Sequence, residues 1–118
     1  MQPSMEVTED EFDKVFAVNV KSIFHVSMTS SPISPGKGIP NMTSQSSRHF
    51  IPNLINQGEG GSMINIASIG ATRPRPGLVW YNSSKAAVAN ATKGLAAEYG
   101  DKNIRINSVC PLLSGTGL

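Results

Sequence analysis

Hydrophobic side chains recur at intervals of three and four positions near the start of the chain, which is the spacing of one face of an α-helix. The stripe consists of Phe12, Val15, Phe16, Asn19, Val20, Ile23 and Phe24. Just before it, Thr8 and Glu11 have the spacing of a capping box, in which two side chains bond backbone amides at a helix start. The pattern therefore predicts a helix from about residue 9 to about residue 26. Asn19 is the polar member of a face that we expect to be buried, so its amide must find hydrogen-bond partners.

Two short runs of apolar and β-branched residues in the second half of the chain predict buried strands. They cover residues 62–67, after a glycine-rich turn, and residues 104–110, before Pro111. An alanine-rich stretch over about residues 81–99 predicts a helix between them, and weaker helical character at 48–55 precedes the first strand. The order helix, strand, helix, strand is typical of an α/β fold with a parallel sheet. A doubly wound sheet needs more than these two strands.

The stretch over residues 28–46 has no hydrophobic periodicity and contains three prolines and two glycines. Connections of more than about 12–15 residues without structure of their own are uncommon inside compact domains. A length of 118 residues fits a single domain. We therefore predict one domain over residues 1–118, with an irregular insertion at about residues 26–46.

Composition and charge exclude several classes of protein. The net charge is only +2 and the basic residues are scattered, which gives no support to a nucleic-acid partner or an anionic membrane surface. No run approaches the roughly 18 consecutive apolar residues of a membrane span. The single cysteine, Cys110, cannot form an intramolecular disulfide, and the first residues lack the pattern of a signal peptide. We therefore expect a cytoplasmic protein without a membrane partner.

The sequence offers no metal site and no reactive thiol. His25 and His49 lack Asp, Glu or Cys partners at ligand spacing, so we expect no bound metal. Cys110 has no base beside it, and we predict that it is a buried small hydrophobic residue.

The strongest chemical signal is the pair Tyr81 and Lys85, four positions apart on one face of a predicted helix. A nearby ammonium favours the phenolate form of a tyrosine, which lets the phenol exchange a proton with an alcohol or carbonyl oxygen. Ser68 follows the first predicted strand at its carboxyl end, where ligands bind in open α/β sheets, and its hydroxyl could bond the same oxygen. Each residue also has an ordinary interpretation: a surface pair, a strand-end turn residue and, for Asn19, a buried structural amide.

Taken together, these residues resemble the short-chain dehydrogenase/reductase family. The matching segments are Val18-Asn19-Val20, Gly61-Ser-Met-Ile-Asn-Ile-Ala-Ser68, Tyr81-Asn-Ser-Ser-Lys85 and Ile104-Arg-Ile-Asn-Ser-Val-Cys-Pro111. The resemblance covers about residues 3–27 and 47–111. It is greatest to the branch that contains 3-oxoacyl-carrier-protein reductases and related alcohol dehydrogenases.

The resemblance implies a catalytic set of Asn19, Ser68, Tyr81 and Lys85. Tyr81 would be the general acid/base, Lys85 would favour its phenolate and bind the nicotinamide ribose, and Ser68 would orient and polarise the substrate oxygen. Asn19 would hold a water that links Lys85 to solvent, and the cofactor contacts would be Asn19, Tyr81, Lys85 and Pro111. The implied activity is hydride transfer between NAD or NADP and a small carbonyl/alcohol pair, in a homo-oligomer.

The chain departs from the family pattern at its beginning. It contains neither the glycine-rich G-x-x-x-G-x-G loop that cradles the cofactor pyrophosphate nor an Asn-Asn-Ala-Gly motif. The implied fold is therefore α/β, a partial Rossmann-like doubly wound parallel sheet whose first half is missing, and we expect poor activity from the chain alone. The alternative is a catalytically inactive fragment or an interaction module from a mis-spliced or wrongly assigned gene.

The insertion itself suggests a retained intron. Val26-Ser27 is what the splice donor GTAAGT encodes, and Gln45 is what the acceptor CAG encodes. Removing residues 26–45 keeps the reading frame, joins His25 to Ser46 and brings Asn19 close to the family's usual distance from Ser68. A genuine loop of this lineage is the alternative interpretation.

Overall fold

The computed structural model describes residues 3–23 and 50–112. The predicted insertion at 26–46, with the proposed splice junctions, lies outside the described residues, as do Phe24, His25 and His49.

The first helix, α1 (Glu9–Phe16), begins with the predicted capping box: Oγ1 of Thr8 accepts a hydrogen bond from the amide of Glu11, and the Glu11 carboxylate accepts one from the amide of Thr8. The helix continues into a π-helical turn, Ala17–Lys21, which contains Asn19. We expected the apolar face of this helix to be buried, and this expectation is wrong, because no residue of α1 or of this turn is fully buried. Phe12 and Phe16 stack on each other at 4.5 Å between ring centroids and are half-covered.

The second half of the described chain is a β-α-β unit. A short helix, α2 (Phe50–Gln57), leads into strand β1 (Gly61–Ile66), and the long helix α3 (Val79–Tyr99) connects it to strand β2 (Ile104–Val109). The strands pair in parallel from Gly61 opposite Ile104 to Ile66 opposite Val109. The predicted parallel α/β arrangement is therefore confirmed, with α3 beginning two residues earlier than its pattern suggests.

One face of the sheet packs against the helices. The core consists of Ile51, Met63, Leu95, Ile104 and Ile106. Because side chains alternate across a strand, the other face carries Ile64, Ile66 and Val109, which are 61%, 59% and 48% exposed. Within the described residues, helices therefore cover one face of the sheet and leave the other face exposed.

A tight turn brings α2 into β1. Gly60 has φ of +75°, and a Cβ there would overlap the backbone oxygen of Asn103, so the two loops at the amino ends of the strands touch. Asn103 is itself left-handed, with φ of 58°. No helix within residues 3–23 and 50–112 has both the length and the apolar character to cross a membrane.

Candidate active site

The carboxyl edge of the sheet places Ser68 beside the end of β2. The pairing continues past both strands, since the amide of Ala67 donates to the oxygen of Val109 (2.8 Å) and the amide of Ile69 donates to the oxygen of Pro111 (3.1 Å). Ser68 lies between these two bonds. Pro111, predicted to contact the cofactor, is exposed at the same edge.

The Ser68 side chain begins a 3-10 turn over Ile69–Ala71. Its Oγ accepts a hydrogen bond from the amide of Gly70 at 3.2 Å. This geometry is that of the ordinary interpretation, a turn residue at a strand end, while the catalytic role of Ser68 stays a prediction. Because a hydroxyl both accepts and donates, the O–H of Ser68 remains a donor for another group.

Tyr81 and Lys85 lie one turn apart in the first part of α3. Nζ of Lys85 is 5.9 Å from the centroid of the Tyr81 ring, within the range of a cation–π contact. The same Nζ donates a hydrogen bond to the carbonyl oxygen of Ile66, the last residue of β1, at 3.0 Å. An ammonium has three donors, so two remain for hydroxyl groups of a ligand. Tyr81 is 38% exposed and accessible to a ligand.

Asn19 reaches this helix from the π-helical turn. Its Nδ2 donates to Oγ of Ser84 at 3.0 Å, and Oγ of Ser84 in turn donates to the carbonyl oxygen of Tyr81 at 2.7 Å. The requirement that Asn19 find a partner is thus met. Its role in holding a water stays a prediction.

Three residues near the site were missed by the sequence reasoning. Ser84 is fully buried and links Asn19 to the helix of Tyr81. Asn82 is 5% exposed and donates from Nδ2 to the carbonyl oxygen of Arg75 at 3.1 Å. A Cβ at Gly70 would overlap Oδ1 of Asn82. Single residues of this kind form no periodic pattern, so the sequence does not predict their contacts. Their position near Tyr81 or Ser68 was the one signal that could have pointed to them.

A cleft of about 360 Å³ lies between the start of α3 and the first helix, with Tyr81 in its wall. Trp80 borders it: the indole Nε1 donates to the oxygen of Ser4 at 3.3 Å, and the ring meets Phe12 edge-on at 5.3 Å. Apolar side chains, including Val15 and Leu78, line most of the remainder. The loop residue Arg75 is exposed.

The prediction for Cys110 is wrong, because its side chain is exposed. Strand β2 ends at Val109, and Cys110 follows at the sheet edge, where no described element covers it. Within residues 3–23 and 50–112, no group of three or more His, Cys, Asp and Glu side chains is placed to hold a metal ion.

The sequence is similar to those of known oxidoreductases. A family model described as Enoyl-(Acyl carrier protein) reductase matches residues 43–118. The 4-formylbenzenesulfonate dehydrogenase of Comamonas testosteroni is 40% identical over 115 residues, covering 98% of the chain and 37% of the relative. Carbonyl reductase [NADPH] 2 of Sus scrofa is 32% identical over 118 residues, covering the whole chain and 40% of the relative.

Solved structures of similar proteins have the same fold over the described part of the chain. The 3-ketoacyl-(acyl-carrier-protein) reductase of Brucella melitensis, crystallised with NADH, superposes with a TM-score of 0.72 at 31% identity, covering 94% of the chain and 39% of that protein. A putative oxidoreductase of Escherichia coli superposes with a TM-score of 0.76 at 27% identity, covering 98% of the chain and 40% of that protein. The chain therefore spans about 40% of the length of its relatives.

Proposed function

The chain belongs to the short-chain dehydrogenase/reductase family, and we propose that it carries the catalytic side chains of an NAD(P)-dependent oxidoreductase that interconverts a carbonyl and an alcohol. The observation that carries the proposal is the position of Lys85. Its ammonium is bonded to the last carbonyl of β1 and lies beside the Tyr81 ring, at the sheet edge that Ser68 also occupies. A proton donor, a cation and a hydroxyl thus share the region where open α/β sheets bind ligands.

In the proposed reaction each side chain handles one part of the proton transfer. The Tyr81 phenol exchanges a proton with the substrate oxygen, and the Lys85 ammonium stabilises the phenolate that remains. The O–H of Ser68, held from its other side by the Gly70 amide, donates to the same oxygen. The nicotinamide cofactor, when bound, supplies or accepts the hydride.

The described residues fit a nicotinamide cofactor at its ribose. Lys85 keeps two N–H donors for ribose hydroxyls, and Tyr81 is exposed beside it. We place Pro111 and Asn19 near the cofactor as well, on the strength of the family resemblance. Relatives differ in their cofactor: the pig reductase is named for NADPH, and the Brucella enzyme was crystallised with NADH. Both forms therefore enter the test.

The proposed substrate is a small carbonyl compound or the corresponding alcohol. The Comamonas relative is named for an aromatic aldehyde. Aromatic aldehydes are therefore the first compounds to screen. We further propose, from the family resemblance, a cytoplasmic protein that acts as a homo-oligomer.

The test supplies the part of the fold that this chain does not span. A chimera carries these residues in place of the matching 115 residues of the Comamonas dehydrogenase, and oxidation of NADH and NADPH is followed with a panel of aldehydes. We expect turnover by the chimera and a loss of about a hundredfold or more in Tyr81→Phe. Tyr99→Phe, at the far end of α3, is the matched control. Equal rates in the chimera and Tyr81→Phe would contradict the proposal.

The second candidate is an interaction module without catalysis, favoured by the exposed apolar face of β1 and β2. Dinucleotide binding by the 118-residue chain separates the two functions. We expect weak binding and little turnover by the chain alone, since hydride transfer requires the cofactor to be fixed against the substrate. An interaction module need not bind dinucleotide at all.

A further inference from the structure

The side chain of Asn82 is buried in the first turn of α3, directly after the proposed acid/base Tyr81. It is 5% exposed, and its Nδ2 donates to the carbonyl oxygen of Arg75 at 3.1 Å. A buried amide that is left unpaired loses its hydrogen bonds to water without replacement, so it stays in place only when its polar atoms are bonded. The bond therefore ties the loop that contains Arg75 to the start of α3.

The other side of the same amide meets the turn that follows Ser68. A Cβ at Gly70 would overlap Oδ1 of Asn82 and would approach Oγ of Ser68 to 3.5 Å. Gly70 is itself buried, and its amide donates to Oγ of Ser68 at 3.2 Å. Only one glycine thus separates the amide of Asn82 from the Ser68 hydroxyl.

We propose that Asn82 is a positioning residue, which sets the Ser68 hydroxyl relative to Tyr81 by holding the 70–75 segment against α3. The role rests on the proposed function, because it assumes that Ser68 and Tyr81 act on one substrate oxygen. Oδ1 of Asn82 packs against Gly70 and limits the position of this residue. The Gly70 amide in turn donates to Oγ of Ser68 and so orients the hydroxyl. The remaining O–H of Ser68 is then directed away from its own turn.

Other buried residues of α3 also hold the helix in place. Beyond Asn82 they are Ser84 in the same turn and Val88, Thr92 and Leu95 two to four turns farther along. A change at Asn82 should therefore move Ser68 before it loosens the fold. A positioning role therefore predicts a lower kcat in a chain that still folds. A purely structural role predicts lower stability without a specific effect on kcat.

The first test uses the full chain and needs no turnover. Hydrogen exchange at the Gly70 amide is measured by NMR in the unaltered chain, in Asn82→Ala and in Asn90→Ala, an exposed asparagine on the same helix that serves as the matched control. We expect exchange at Gly70 about tenfold faster in Asn82→Ala and unchanged in Asn90→Ala. Unchanged exchange in Asn82→Ala would overturn the proposal.

The second test measures kinetics in the chimera described above. We expect Asn82→Ala to lower kcat by about tenfold to a hundredfold, as small displacements of catalytic groups do, with the KM for the dinucleotide unchanged. Gly70→Ala should cost a similar factor alone but little when added to Asn82→Ala, because the amide that it overlaps is then gone. Equal effects of Gly70→Ala in both backgrounds would overturn the proposal.

The two tests keep this inference distinct from the proposed function. If the unaltered chimera has no turnover, the proposed function fails, and the exchange at Gly70 alone decides whether Asn82 holds the turn. If Asn82→Ala does not fold, Asn82→Asp replaces it in both tests, since it keeps the size of the side chain but removes the donor to Arg75. The expected and contrary results for exchange at Gly70 and for kcat apply to it unchanged, whereas the combination with Gly70→Ala is left out, because Asp keeps an oxygen where Oδ1 of Asn82 lies.

Discussion

Asn19 and Ser84 are 65 positions apart in the sequence, and Nδ2 of Asn19 donates to Oγ of Ser84 at 3.0 Å. The bond joins the π-helical turn Ala17–Lys21 to the helix that carries Tyr81 and Lys85. Turns of the π type occur mostly as single insertions in α-helices, often at functional sites. Since Ser84 precedes Lys85 directly, the bond connects Asn19 to the backbone of the proposed catalytic pair.

Removing the Ser84 hydroxyl should therefore destabilise the chain. Ser84→Ala deletes the acceptor for Asn19 and the donor to the Tyr81 carbonyl, and Ser84 is fully buried. We expect a loss of about 1–2 kcal/mol in the free energy of unfolding, measured by urea denaturation. Ser83→Ala is the matched control, because Ser83 is exposed on the same turn and its hydroxyl donates to the oxygen of Val79. Equal losses in the two variants would contradict the prediction.

Lys85 is the cation on which the proposed function depends most. Lys85→Met keeps the length of the side chain but removes the charge and the bond to the Ile66 oxygen. We expect turnover of the chimera to fall by about a hundredfold or more, in line with the loss of a group that assists proton transfer. Lys93→Met, an exposed lysine two turns later on α3, should leave turnover unchanged. Retained turnover in Lys85→Met would show that the cation is not required.

A buried polar pair offers a test of the fold that is independent of catalysis. Nδ2 of Asn65, in β1, donates to Oγ1 of Thr92, in α3, at 2.9 Å, and the two residues are 6% and 2% exposed. Thr92→Val leaves the Asn65 amide without its acceptor, and we expect a loss of about 1–3 kcal/mol in thermal or urea unfolding. Thr72→Val, on the exposed loop, should change stability by less than about 0.5 kcal/mol. A small effect at Thr92 would mean that water satisfies Asn65.

The elements that the sequence predicted best are those with strong local patterns. The capping box of Thr8 and Glu11 and both strands followed from the spacing of neighbouring residues alone. The degree of burial did not follow, since exposure depends on what packs against an element. The apolar stripe around Phe12 is half-covered, and Cys110 is exposed beyond the end of β2.

The site was predictable only in part, for the same reason. Ser68, Tyr81 and Lys85 were proposed from their spacing and strand-end position and from the family resemblance of their motifs, and their roles stay predictions. The partners Ser84 and Asn82 were not, because a single buried hydrogen bond between distant segments leaves no periodic trace in a sequence. Their roles became visible only when the loop and helix were placed together.

Residues 26–45 lie outside the described residues, and transcripts of the gene can test their origin. If they are a retained intron, long-read transcripts of the gene should include molecules that join the codon of His25 to that of Ser46. The frame is kept in such molecules, because the twenty codons of residues 26–45 are removed whole. An intact-mass measurement on the natural protein checks whether the shorter product is made.

The opposite result has an equally definite meaning. If every transcript retains these codons and the natural protein has the mass of the uninterrupted sequence, the segment is a genuine loop of this lineage. The Asn19–Ser84 bond would then be formed across that loop, and deleting residues 26–45 should alter the stability of the protein. With a retained intron, the same deletion recreates the natural connection, and we expect the bond and the activity of the chimera to persist.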